Sequence, residues 1–293
     1  MNFSELVYVA IVPFTVAAAA ALAARQIRFA PPVVWATAVG LGYIAAQLGL
    51  AGRAGAAGVF ASLLAPREAV EWLPYAVLFA LGLTILATYA PRTWRRLVIA
   101  LAILLTIGLP LRLLANSDYS VRWSLLEKLA YISLLSATLG LTWLVLASAR
   151  HTEQPRLRPL LLAVVAAGSA VVVALSGEFV YGEICGALAA ALAGTALSSR
   201  VWHLEGAAGV VTFSLGSLIV LSCFYAELTT SNAAMLFLAM MMAAGRLPDH
   251  VSTRPAWQQA ALRTGLTLLP LAVALAQAVT TAQAEMSSNP YAI

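Results

Sequence analysis

Charge is scarce in this chain. Only 10% of its 293 residues are Asp, Glu, Lys or Arg, against about 25% in an ordinary soluble domain, while 62% are hydrophobic. A water-soluble globule is excluded. Lysine is scarcer still: every basic side chain but Lys128 is arginine, and no glycine-rich loop surrounds that one lysine, so P-loop chemistry is excluded. The two cysteines, Cys185 and Cys223, show no metal-ligand spacing and no disulfide framework. They read as small buried residues, although both fall near the outer ends of adjacent apolar segments, where a bridge is conceivable. The three histidines, His151, His203 and His250, all lie between apolar segments, whereas a transmembrane haem needs them inside. There is no His-Glu-x-x-His, no Gly-x-Ser-x-Gly turn and no paired aspartate motif. No cofactor and no metal site are expected.

What the chain does have is long apolar runs. A span needs about 20 mostly apolar residues, and ten candidates occur at 6–24, 33–51, 73–90, 97–115, 129–149, 160–176, 179–198, 206–226, 228–245 and 266–282. All must be helical, because unpaired backbone groups in lipid cost several kcal/mol each. The expected fold class is therefore all-α: a polytopic integral membrane bundle of about ten transmembrane helices. The seventh and ninth are the weakest, one interrupted by Glu183 and the other short. A re-entrant or merely buried helix is the alternative for each. The run 54–65, between the second and third spans, is too short to cross and reads as an interfacial helix.

The arginines follow a two-beat rhythm. Gaps assigned alternately to two sides give twelve arginines against three acids on the first, a balance of +9, and five basic against nine acidic residues on the second, a balance of −4. By the positive-inside rule the first side is cytoplasmic and both termini lie on the other. Omitting either weak span would reverse every later gap. The overall +5 charge is spread singly beside apolar runs, which suits membrane lipids with anionic headgroups and not nucleic acid. Most tryptophans stand near span ends, as interfacial indoles do; Trp143, about two turns inside the fifth span, is the partial exception. The expected location is the inner (plasma) membrane.

The polar stretch 150–159 divides the chain into halves, 1–150 and 151–293, of five helices each. An odd count per half admits a 5+5 inverted repeat, a common transporter plan. In helix count and length alone the layout resembles the drug/metabolite transporter superfamily, but the outward termini are opposite to the usual arrangement there and no motif carries the match.

Four residues are candidate substrate-binding positions. Glu178, Glu183 and Glu227 fall at the outer ends of spans six to nine, and ionisable groups at membrane depth usually face a bundle interior or water. Positions 178 and 183 are about 140° apart on a regular helix, so they share one ion only if the backbone unwinds; outer-loop helix caps are the alternative. Arg112 follows Pro110 in the fourth span, where a proline kink beside a cation suits an anionic group. Snorkelling to the interface is the alternative. Gly182, Gly186, Ala190 and Gly194 repeat every four residues on the seventh span, a face that admits close approach by another helix of the chain, a second copy or a partner protein. The leading expectation is a transporter-like or solute- or lipid-binding membrane protein, its polar site on the outer half between helices four and nine. The rivals are a non-catalytic subunit or scaffold packing through the seventh helix, and an intramembrane enzyme acting on lipids.

Overall fold

Each apolar run closes its own backbone hydrogen bonds by coiling into a helix, and prolines mark where two of the helices start: Pro31 and Pro32 open one and Pro74 another, positions where a missing N–H is harmless. The computed structural model describes residues 7–27, 29–52, 66, 68–114, 123–148, 156–198, 203–245, 247 and 255–288. Among them are ten helices and no strand. We number them α1 (Val12–Gln26, entered through a π-turn at Val7–Ile11), α2 (Pro31–Ala51), α3 (Leu73–Tyr89), α4 (Arg95–Leu114) and α5 (Leu125–Ala147). The second set is α6 (Leu157–Leu175), α7 (Phe179–Ser198), α8 (Leu204–Val211, a π-turn Thr212–Gly216, then Ser217–Tyr225), α9 (Thr230–Ala244) and α10 (Ala256–Ser288). Nine are long and apolar enough to cross a membrane. The fold is a multi-pass helical membrane bundle. The run 54–65 lies outside the described residues.

The contacts between helix ends follow the alternation of the gaps. At the arginine-rich end, hereafter the basic end, the Ala30 N–H donates to the Tyr89 hydroxyl at 2.9 Å, and the Thr84 hydroxyl, before the end of α3, donates to the Gly206 carbonyl at the start of α8 at 3.3 Å. At the opposite, acidic end the Tyr225 hydroxyl donates to the Leu113 carbonyl at 3.2 Å, joining the last residues of α8 and α4. The doubtful seventh segment is a full 20-residue helix. The ninth is shorter, 15 residues or about 22 Å, yet it runs from one end toward the other beside α10. Ser231 meets Gln277 at its acidic end, and Arg263 donates to the carbonyls of Ala243 and Gly245, at 3.3 and 2.8 Å, at its basic end.

Arg263 departs from its expected place in a cytoplasmic gap. It lies inside α10, 4% exposed, because α10 begins ten residues before its continuous apolar run and lies along the short α9. Its guanidinium supplies the donors that the last carbonyls of α9 need. Trp35, expected at the interface, is fully buried near the start of α2. Pro110 does not end α4, which runs on to Leu114.

Packing is uneven. The helix α8 is the central post, packed against α2, α3, α5 and α9, and 89% of its span is buried. On one side α7 packs tightly between α6, α1 and α2, and α9 and α10 lie on α6. On the other, α3, α4 and α5 form a looser wing, with α5 only 17% buried. Both five-helix sets pair first with second and fourth with fifth. The close packing of α6 on α9 and α10 is not repeated to the same extent by α1 on α4 or α5.

Candidate functional site

The four expected site residues are placed by ordinary local structure. Gly177, with φ of +101°, lies in the left-handed region open to glycine, and there the chain reverses between α6 and α7. Glu178 follows it, before the first turn of α7, half-buried; its carbonyl accepts from the Gly182 N–H at 3.2 Å. Because Glu178 stands outside the helix, the 140° separation from Glu183 does not apply. Glu178 lies within electrostatic reach of the Tyr181 ring, as do Glu68 and Tyr225, so the fold does collect a polar group at the acidic end. Glu183 sits one turn into α7, half-buried and with a partner of its own. Glu227 is exposed in the α8–α9 connection, with φ of 53°. Arg112 is exposed near the end of α4, its guanidinium 4.2 Å above the Trp72 ring, a stacking contact worth roughly 0.5–1 kcal/mol at such a site.

Two further glutamates reach this end. Glu68 and Glu71 border a small pocket of about 190 Å³ with Gln47, Pro74, Val180 and Ile184. Each also caps the turn Ala69–Trp72: the Glu68 N–H donates to the Glu71 carboxylate at 3.2 Å, and the Glu68 side chain accepts in return.

The glycine stripe of α7 is filled from within the chain. A Cβ on Gly182 would meet the Ala170 carbonyl of α6 at 2.8 Å, one on Gly186 would meet Val9 at 3.2 Å, and one on Gly194 would meet the Phe14 carbonyl of α1 at 2.5 Å. The close approach that the spacing predicts is made at these three glycines by α6, α1 and the turn before it. Cys185 and Cys223 are both free thiols.

A larger cavity lies elsewhere, in the loose wing. A cleft of about 980 Å³ separates α3, α4 and α5, at the upper end of the usual range for small-molecule sites. Its α4 wall is the stripe Val98, Ala102, Thr106, spaced by four, and its α5 wall is Ser136, Gly140, Trp143, one helix face in each case. The two walls meet at Gly140, where a Cβ would meet the Thr106 methyl at 3.3 Å. The Thr106 hydroxyl is satisfied by the Ala102 carbonyl at 2.8 Å, whereas the buried Ser136 Oγ has no hydrogen-bond partner.

A second pocket of about 320 Å³ opens at the basic end between α3, α5 and α8. It shares Ala87, Val98 and Trp143 with the cleft. Trp143 stands at the junction, packed on Phe213 of the α8 π-turn with ring centroids 5.9 Å apart. Polar side-chain groups in this pocket are Thr84, Thr88, Glu205 and the indole N–H of Trp143. The Nδ1 of His203 lies 2.7 Å from Oε1 of Glu205, with side-chain exposures of 34% and 15%. His203, which lies between apolar segments, is thus half-buried and paired; His151 and His250 lie outside the described residues.

Sequence reasoning passed over Glu205, Ser136 and the cleft. One signal was available: Trp143 was the tryptophan that did not fit an interfacial position. Among the described residues no group of three or more His, Cys, Asp or Glu side chains could hold a metal ion. No family model matches the chain, and comparison with curated proteins and with solved structures gives no match.

Proposed function

We propose that this is a protein of the inner (plasma) membrane that takes an amphiphile from the bilayer and holds or carries it along the α3–α4–α5 cleft, with the basic end in the cytoplasm by the positive-inside rule. The observation that carries the reading is the shared lining at Ala87, Val98 and Trp143, which links an apolar cleft on the lipid-facing wing to a pocket with polar groups at one end. An apolar chain fits the first and a polar head the second. Bilayer lipid is as apolar as the cleft walls, so entry of a chain involves little desolvation, and the hydrogen-bonding groups at the pocket give it an orientation.

The test is Ala87→Trp, which places an indole at the junction from an exposed position on α3. The expected result is loss of amphiphile retained through purification, read by native mass spectrometry, and loss of movement of a fluorescent lipid analogue in proteoliposomes, with the fold intact. Unchanged retention and movement would remove the reading. The acidic-end residues Glu178, Glu183, Glu227 and Arg112 are proposed as the opposite mouth of the same path. Neutral replacements at all four that leave movement unchanged would dismiss that part alone.

A second reading takes the low burial of α5 as a seat for a partner helix. It predicts a protein that co-purifies stoichiometrically and is released by Leu134→Trp.

A further inference from the structure

We propose that the basic-end pocket holds a positively charged head, with the Glu205 carboxylate as its counter-ion and Trp143 beside it; the proposal rests on the cleft reading above. The chemistry of the lining selects the sign. The Thr84 hydroxyl donates to the Ala80 and Gly206 carbonyls, at 3.0 and 3.3 Å, and the Thr88 hydroxyl donates to the Thr84 carbonyl at 2.7 Å. Their protons are spent, so each faces a ligand as an acceptor. Glu205 is acceptor-only as a carboxylate, and among the described residues its one contact is His203, which leaves most of its lone pairs unused. An anionic head would meet that carboxylate at close range and be repelled by it. An ammonium head supplies donors for these acceptors, and Trp143 lines the same pocket. The acceptors lie at the pocket and the apolar stripe along the cleft, so the ligand is a cation carrying an apolar chain: an amine-headed membrane lipid or a hydrophobic amine from solution.

The experiment uses the purified full chain titrated with dodecylamine, dodecanol and dodecanoate, read by native mass spectrometry, on wild type and Glu205→Gln. The expected order on wild type is dodecylamine about ten-fold tighter than dodecanol, the size of a charge-assisted contact, with dodecanoate weakest. In Glu205→Gln the amine preference over dodecanol falls to parity. Equal affinity for all three heads on wild type overturns the proposal without any variant, and so does an amine preference that survives Glu205→Gln. If dodecanol binds to wild type and Ala87→Trp alike, the cleft reading itself fails, which is a separate result. Nanodiscs holding phosphatidylethanolamine and phosphatidylglycerol in equal parts distinguish the sources. Co-purified phosphatidylethanolamine in excess marks a bilayer ligand, no enrichment beside tight dodecylamine binding marks a soluble amine, and phosphatidylglycerol in excess overturns the assignment.

Discussion

The helices α5 and α8 are close in length and hydropathy, 23 residues at 1.8 and 21 residues at 2.0, yet one span is 17% buried and the other 89%. Hydropathy therefore separates membrane from water but not the centre of a bundle from its edge. Lipid tails are as apolar as leucine, so no hydrophobic force draws one helix inward over another; close packing does, and small residues permit it. The helix α8 carries Gly206, Gly209 and Gly216 with Ala207 and Ala208, all buried, and at Gly206 the backbone of α2 comes into contact. The helix α5 presents Leu125, Leu126, Leu134 and Leu144 outward, side chains that lipid receives as well as protein does. The loose packing on that side is also what leaves space for the cleft.

Five substitutions can break or sharpen the contrast. The largest effect is expected for Gly206→Leu, where even a Cβ would collide with the Pro32 backbone of α2. Overpacking against backbone costs about 3 kcal/mol or more, and size-exclusion chromatography should show aggregate in place of a folded peak. Next come Leu218→Ala on α8, fully buried, and Leu134→Ala on α5, 62% exposed. The first should lower stability by about 3 kcal/mol through the cavity it leaves and the second by less than about 0.5 kcal/mol, so comparable thermal shifts for the two would refute the assignment of centre and edge. Arg263→Ala removes both side-chain bonds to the end of α9. It should cost about 2 kcal/mol, with faster hydrogen exchange confined to the last turn of α9. The smallest effect is expected for Gly140→Ala on α5: its Cβ meets only a threonine methyl, a contact that offsets a helix-propensity gain of up to about 1 kcal/mol. A midpoint within about two degrees of wild type is the expected result.

The positions of the helices were largely legible, because a 20-residue apolar run has few alternatives in lipid. Expected segment 179–198 coincides with α7, and most others differ by a few residues at each end. The start of α10 was not legible. Residues 256–265 include Trp257, Gln258, Gln259 and Arg263, which read as a loop until α9 is known to be short and in need of a cap. The acidic residues were legible as a charge balance but not as a site. Whether a carboxylate in the first turn of a helix also lines a pocket, as Glu71 and Glu205 both do, depends on the neighbouring helix.

The sequence by itself determined the class of the protein, the number of apolar segments and the sidedness of its charge, since each follows from the free energy of single groups in water or lipid. Tertiary structure alone decided that α8 stands at the centre, that Arg263 serves α9, and that Trp143 joins a cleft to a pocket. Those outcomes depend on which surfaces approach to within a few ångströms, and a one-dimensional pattern does not state which helices are neighbours.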